Sequence, residues 1–392
     1  MMRKLHEHEM IDAIRLSEYA FQYDVPKEDL EKRLKAYGEH TVWGDFEDGN
    51  LAAKLHIIDL HTWIAGKKFA MGGIASVATY PEYRRGGKVA KLLRHSLSEM
   101  KENGQTISFL HPFSIGFYRK FGWEILSNWK KLTLKKEDFV KLSPASGKVR
   151  RIQLDDVFEQ LNPVYETFAN KFNGMLKRDE SWWRNRVYSE GDLFATYQNS
   201  DGKLTGYVYY KMKERNLEVE EFVALDGDAR KGLWNYLCQH DSMIDGGTLL
   251  TNEGDQLPFL LQNPKIKSEV EAYFMARIVD VENFLINYPF ILDEGEFLFL
   301  HIHDEHAEWN NGTFHIGQDE VKVFRGNSEN SFCTHPPKRG LRCNINTLTA
   351  LLTGYQSPEF LSESGLIEGP EQDLFLLKKM ISKKETNFMD FF

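Results

Sequence analysis

Two arginines, two glycines and a lysine stand together at Arg84-Arg85-Gly86-Gly87-Lys88, directly ahead of a run with helical spacing. That combination suits an anion. A glycine-bearing loop at a helix start lets several backbone N–H groups converge on one point, and the helix dipole favours negative charge there. The basic side chains add attraction, so the expected ligand group is a pyrophosphate. A P-loop is excluded because no Gly-Lys-Ser/Thr follows, and a dinucleotide fingerprint because Gly-x-Gly-x-x-Gly is absent. On spacing alone the same residues also fit a basic surface turn. A second chemistry-bearing group, His301, His303, Asp304, Glu305 and His306, has the residue types of a metal site. Strand alternation would put His301 and His303 on one face with Phe297 and Phe299. Ordinary strand packing explains that pattern, and no metal is expected.

The elements that must hold the basic loop are legible on both sides. Ile74-Ala75-Ser76-Val77-Ala78-Thr79 is a strand stopped by Pro81. Val89, Leu93, Leu97 and Met100 recur at helical spacing on one face, and Asn103-Gly104 supplies the stop.

Val77 to Val89 resembles the coenzyme A motif of the GNAT N-acetyltransferases, Arg/Gln-x-x-Gly-x-Gly/Ala. It reads here as Arg84-Arg85-Gly86-Gly87-Lys88-Val89, with Val89 in place of the final small residue. Pro112-Phe113-Ser114-Ile115-Gly116-Phe117-Tyr118-Arg119-Lys120-Phe121-Gly122-Trp123-Glu124 resembles the late GNAT segment Phe-Tyr-x-Lys/Arg-x-Gly-Phe/Trp. Length, a three-part layout and the closing Phe391-Phe392 are similar to the Eis (enhanced intracellular survival) acetyltransferases over essentially the whole chain. The resemblance implies acetyl-CoA as co-substrate. The backbone of Val77, Ala78 and Thr79 would pair with the pantetheine arm, with the N–H of Val77 polarising the thioester carbonyl. Arg84, Arg85, Gly86, Gly87, Lys88, Val89 and Ala90 would cradle the phosphates, and Phe113 and Ser114 would border the cofactor. Tyr118 would protonate the departing thiolate. No histidine or glutamate stands out as the base for the amine; Eis-like enzymes use the terminal α-carboxylate, here that of Phe392, with Asp390 as the substitute.

Length and composition bound the rest. At 392 residues two or three domains are expected. A hydrophobic content of 42% supports packed cores, and a net charge of −9 argues against general nucleic-acid binding. Cys238, Cys333 and Cys343 are odd in number and widely spaced, which fits a reducing cytoplasm. The first residues lack the apolar run of a signal peptide, and no stretch has the length of a membrane span.

Along the chain, helices are expected at Met10–Phe21 and Leu30–Tyr37, and strands near Leu55–Trp63, Phe69–Thr79, Thr106–Leu110 and Trp123–Leu134. Lys141–Lys148 reads as a linker. The same order then recurs: helices Leu154–Phe172 and Glu180–Tyr188, strands Leu193–Tyr197, Leu204–Lys211 and Leu217–Leu225, and helix Asp228–His240. The loop Asp226–Gly232 is acidic at its start and lacks the paired arginines, which marks a degenerate unit that has lost coenzyme A. Trp182 and Trp183 are expected to pack between domains. After about residue 280 a meander (Phe297–His303, Phe314–Ile316, Val321–Phe324) and helices Ile345–Leu352, Pro358–Ser362 and Asp373–Ile381 are expected. This part resembles the sterol-carrier-like domain of Eis proteins.

The expected fold is α/β (α+β): an active GNAT domain (1–142), a second, degenerate GNAT-like domain (143–283) and a sterol-carrier-like α+β domain (284–392). The expected function is direct acetyl transfer to amine-rich small molecules, aminoglycosides by resemblance, at one or several positions, in a cytoplasmic homo-oligomer (a hexamer by resemblance). The alternatives are a protein or peptide lysine acetyltransferase and, in a different class, a lipid- or sterol-binding carrier.

Overall fold

The computed structural model describes residues 1–325 and 338–392; Cys333 lies outside them. The first part of the chain forms β1 (Met2–Lys4), α1 (Met10–Phe21), α2 (Leu30–Gly38), β2 (Thr41–Glu47), β3 (Asn50–Ile64), β4 (Lys67–Thr79), α3 (Lys88–Glu102), β5 (Ile107–Leu110), α4 (Ile115–Arg119) and β6 (Glu124–Lys135). The second part repeats this order with β7 (Lys148–Ile152), α5 (Val157–Ala169), α6 (Glu180–Trp182), β8 (Leu193–Gln198), β9 (Leu204–Lys213), β10 (Asn216–Ala224), α7 (Gly227–Cys238), β11 (Gly246–Asn252), α8 (Leu257–Leu260) and β12 (Lys267–Ile278). The third contains α9 (Val281–Asn287), β13 (Leu298–His303), β14 (Gly312–Ile316), β15 (Val321–Phe324), β16 (Leu341–Asn344), α10 (Ile345–Thr353), α11 (Pro358–Glu363) and α12 (Glu371–Met380).

The first two units share one sheet of twelve strands, in the order β1-β2-β3-β4-β5-β12-β6-β11-β10-β9-β8-β7. Each unit ends by giving its last strand to the other. β12 lies between β5 and β6, and β6 lies between β12 and β11. The antiparallel pair β6–β12 therefore sits on a local pseudo-two-fold, with β4 parallel to β5 on one side and β10 parallel to β11 on the other. This exchange is not visible in the sequence, where β12 begins polar (Lys267, Ser268, Glu269) and becomes buried only from Phe274. The third part adds a separate four-stranded sheet, β15-β14-β13-β16. Its core is continuous with that of the large sheet through Phe109, Phe274, Phe284, Leu300 and Leu348.

Local differences have local causes. The expected helix from Leu154 begins with a 3-10 turn and becomes α-helical at Val157. The expected helix Glu180–Tyr188 keeps one α turn and widens into a π turn at Trp183–Val187. Trp183 is fully buried there, with its ring against Tyr165 and Tyr207. On α3, Leu93, Leu97 and Met100 are fully buried as the spacing predicts, whereas Val89 in the first turn is half-buried.

Candidate acyl-transfer site

The site begins as a split in the sheet. β4 and β5 pair in parallel only from Met71–Ile107 to Ile74–Leu110. Beyond Leu110 the chain turns away through His111-Pro112, so the β5-side edge of β4 from Ala75 to Thr79 is left open. On its other edge β4 carries one extra residue, between the pairs His56–Ala75 and Lys54–Ala78. A bulge of this kind re-aims the backbone. Ser76 takes the left-handed conformation there (φ 52°). It is held by buried Lys54, whose Nζ lies 2.7 Å from Ser76 Oγ and 3.2 Å from its carbonyl oxygen. Lys54 Nζ also lies 3.0 Å from His56 Nε2, and His56 Nδ1 lies 3.1 Å from His40 Nδ1. Burial pushes Lys54 and His56 well below their ordinary values, and pushes His40 down to about 4.

After β4 a 3-10 turn, Pro81–Tyr83, leads into the basic loop. Arg85 (φ 66°) and Gly87 (φ 74°) both adopt left-handed backbone. For an arginine this conformation costs about 1–2 kcal/mol, and no sequence rule foretold it. The first-turn N–H groups of α3 have no intrahelical acceptor, and Gly87 as N-cap offers no side-chain oxygen. Arg84 and Arg85 are exposed and have no ion-pair partner among the described residues. Lys88 differs from expectation. Its ammonium is 2.5 Å from Glu47 and 3.9 Å from Asp45, so its charge is spent within the protein and only its backbone N–H remains available.

Tyr118 lies on α4, whose N-cap Ser114 accepts a hydrogen bond from Phe117 N. Its ring is 2% exposed and packs with Leu92, Leu93 and Trp123 on the α3 face of the sheet. Phe113 and Phe117 flank it, with ring centroids 5.3 Å and 5.2 Å away. Burial pushes the phenol well above its ordinary value, so it stays protonated, and no described residue hydrogen-bonds its hydroxyl.

The tail arrives on the opposite face. Thr386 bridges to Asn173, and Asn387 N donates to Asn173 O at 2.9 Å. Phe388 is buried, 4.2 Å from Phe274 between ring centroids. The Phe392 ring lies over Gly73, beside Leu60, Phe274 and Trp182. Gly73 is one pair before the end of the β4–β5 ladder, and His111, the first residue past β5, meets Phe391 edge-on with ring centroids 5.1 Å apart. The split is therefore bracketed by Tyr118 on one face and the chain's last residues on the other.

Asp390, the substitute base, is an anchor instead. Its buried carboxylate accepts from Arg178 Nε at 2.9 Å and Trp182 Nε1 at 2.7 Å, and its carbonyl accepts from Tyr273 OH at 2.9 Å. Arg178 also pairs with Glu221. Burial holds the Asp390 carboxyl above its ordinary value, with Arg178 offsetting only part of that rise. Asp390 is only 5% exposed, so an incoming amine has little access to it.

Two clefts flank the tail. One, of about 590 Å³, is lined by α1–α2 residues including Asp24, Asp29, Tyr37 and His40, with Asp59, Leu60, Asp179, Trp182 and Arg186. Trp182 packs against the tail between domains, as expected, and also borders a cleft, whereas Trp183 is buried within the second unit against Tyr165 and Tyr207. The other, of about 430 Å³, opens where β10 and β11 part in the second unit. It is lined by His111, Trp129, Glu220, Phe222, Leu250, Glu271, Tyr273 and tail residues 387–389. By pseudo-symmetry this is the second unit's counterpart of the β4–β5 split, and the tail lines it. His301 bonds to Thr313 Oγ1 (2.8 Å) and Arg339 O (3.1 Å), and His306 to Lys120 O (2.6 Å). Among the described residues no group of His, Cys, Asp or Glu could hold a metal ion.

Comparison with known proteins defines the class. Residues 1–126 and 174–278 each match a GNAT acetyltransferase domain family, and residues 281–390 match the sterol carrier protein domain. The chain belongs to the GNAT acetyltransferases, whose co-substrate is acetyl-CoA. Over the whole chain the fold is that of Eis1 of Mycobacterium abscessus, which matches across 100% of both chains at 18% identity and a TM-score of 0.82. A probable N-acyltransferase of Enterococcus faecalis V583 is 28% identical, covers 100% of this chain and 99% of its own, and has a TM-score of 0.91. An uncharacterised N-acetyltransferase of Streptomyces griseus is 24% identical over 251 residues, a match that spans 57% of this chain and 59% of that protein's length. Among the described residues no helix is long and apolar enough to cross a membrane.

Proposed function

We propose that the chain transfers acetyl from acetyl-CoA to amine-rich small molecules, in one ternary complex and without a covalent enzyme intermediate. The observation that carries this reading is the β4–β5 split bracketed by a protonated Tyr118 and the terminal Phe392. The pyrophosphate would sit on the N–H groups of Gly87, Lys88, Val89 and Ala90, with Arg84 and Arg85 adding charge and Gly86 allowing close approach. The open edge at Val77–Thr79 would take the pantetheine amides, with Phe113 and Ser114 at its border. An amine reaches the split as an ammonium ion. The α-carboxylate of Phe392 removes one proton and the freed amine attacks the thioester carbonyl; the C–S bond then breaks as Tyr118 protonates the leaving thiolate, and the second proton, shed by the acylated nitrogen, restores the phenol.

Glu220 and Glu271 line the second-unit cleft with no lysine or arginine among its described lining residues, which favours a cationic acceptor there, whereas the larger cleft sets Asp24, Asp29, Glu39, Asp59 and Asp179 against Lys32, Arg33, Lys35 and Arg186. Aminoglycosides are the members of that class to test first, with more than one acetyl added per molecule. We also propose a homo-oligomer, a hexamer by analogy with Eis, because Phe360, Leu366 and Phe375 expose apolar surface around α11 and α12.

Thiol release across an amine panel, with mass spectrometry counting acetyl groups, tests the activity. Two arms test the residues. Tyr118→Phe should lower turnover about 10²–10⁴-fold while sparing acetyl-CoA binding. Residues appended after Phe392 replace the carboxylate by a neutral amide and should abolish turnover, whereas Phe392→Leu keeps the carboxylate and should be far milder. Normal turnover in the extended chain would refute the terminal base.

A further inference from the structure

α4 is a helix of five residues. Its last carbonyls accept from the turn that follows: Phe117 O from Lys120 N, Tyr118 O from Phe121 N and Arg119 O from Gly122 N. Side chains from far along the chain add to these bonds and take the carbonyls of the turn itself. Asn346 Nδ2, on α10, donates to Arg119 O at 3.1 Å and to Trp123 O at 3.0 Å. His306 Nε2 donates to Lys120 O at 2.6 Å. Because a carbonyl only accepts, this fixes the Nε2–H tautomer, and Nδ1 is free to accept from Arg94 Nε at 3.4 Å. Arg277 Nε donates to Phe121 O at 3.0 Å.

Arg277 is itself held. It is fully buried, and its Nη2 meets both Asp304 oxygens at 2.8 Å. Asp304 in turn accepts from His306 N, Ala307 N and Asn310 Nδ2. The turn is pressed onto this frame: Gly122 has φ 90°, and a Cβ there would lie 2.9 Å from Ile345 and 3.0 Å from Arg277. Asp304, His306 and Asn346 all belong to the sterol carrier region, residues 281–390. A carbonyl that needed only solvation could use water. Here four successive or near-successive carbonyls behind one tyrosine are served by a rigid, interlocked donor set.

We infer that the sterol carrier domain is a working part of the acyl-transfer site, in which Asn346, His306 and the Arg277–Asp304 pair act as positioning residues that lock the Tyr118 helix against the thioester. The inference rests on Tyr118 being the proton donor. A short helix without these added bonds would fray and let the phenol wander by an ångström or more, enough to cost a large part of a proton-transfer step.

Asn346 is half-buried at the second position of α10, so its replacement spares the core. The experiment is a double-mutant cycle of Asn346→Ala with Tyr118→Phe, read by thiol release from acetyl-CoA with the acceptor that the wild-type enzyme turns over. Asn346→Asp is a second variant that keeps shape and removes the donor. The expected result is a kcat about tenfold lower in either Asn346 variant, the size of one or two lost hydrogen bonds. KM for acetyl-CoA and the urea midpoint should be nearly unchanged. In the Tyr118→Phe background the same change should cost nothing further. An equal, additive loss in that background would overturn the inference, since Asn346 would then act by another route. A wild-type kcat in both Asn346 variants would overturn it as well. Full activity of Tyr118→Phe alone would remove the proton-donor reading first, and the inference with it; a Tyr118→Phe defect beside an inert Asn346 would remove the inference only.

Discussion

Gly72 and Gly73 are adjacent on β4 and face opposite sides of the sheet, which allows a one-methyl test of where catalysis lives. A Cβ on Gly73 would stand 2.8 Å from Phe392 Cε2, 3.1 Å from Phe392 Cζ and 3.1 Å from Leu60 Cδ1. Carbon atoms in contact settle near 3.5–4.0 Å, so the terminal ring must retreat by about 0.7–1 Å. Its backbone ends there, so the retreat costs little stability, at most about 1 kcal/mol. The carboxylate moves with the ring, and a 1 Å misplacement of a catalytic group costs on the order of 10²-fold. Gly72→Ala is the contrast. Its Cβ would lie 2.2 Å from Met100 Sδ and 2.8 Å from Gln105 Oε1, on the packed α3 face. Overpacking there costs about 1–3 kcal/mol without touching the tail. The expected outcome is a split: Gly73→Ala folds like wild type and loses about 10–100-fold in kcat, while Gly72→Ala loses urea stability and keeps most of its kcat. Thiol-release kinetics at saturating acetyl-CoA and urea unfolding of both variants read the two halves. A wild-type kcat for Gly73→Ala would refute the claim that the position of the chain's end sets the rate.

Arg85→Ala should raise KM for acetyl-CoA about tenfold to a hundredfold, the worth of a charge-assisted contact, and leave the acceptor KM unchanged; an unaltered acetyl-CoA KM would exclude the phosphate seat. Asp390→Ala leaves buried Arg178 paired with Glu221 alone and Trp182 Nε1 without its acceptor, and should destabilise the fold by about 1–3 kcal/mol, visible in urea melts; an unchanged midpoint would mean the tail is not anchored there. The pH dependence of stability should have its own window. His40 is held down to about 4, chiefly by burial and then by Arg186 and Lys54. A depressed histidine contributes stability that is full above its ordinary value of about 6.5 and is lost as pH falls toward 4. Between about pH 6.5 and 5 each such histidine should cost about 1.5 kcal/mol, and His40→Gln should flatten that slope in urea midpoints measured across the range.

The share of this protein that its sequence determines is the share carried by local periodicity and turn chemistry. The face of α3, the stop at Pro81, the basic loop and the tyrosine segment are short-range patterns, and each forms where its residues predict. The acidic loop Asp226–Gly232 lacks the arginine pair, and that absence is the ground for expecting no phosphate seat in the second unit. Tertiary structure decided what depends on residues far apart in the chain. β6 and β12 are the last strands of their own units and pair across to the other unit in the middle of the shared sheet, and nothing in either segment names the neighbour it will pair with. Lys88 looked like part of the anion seat until folding brought Glu47 beside it. Asp390 looked like a base until Arg178 and Trp182 closed over it, and Arg85 entered left-handed backbone that its residue type disfavours. The terminal Phe392 and Tyr118 are 274 positions apart, and only a folded sheet with a split between β4 and β5 can put one on each face of the same gap.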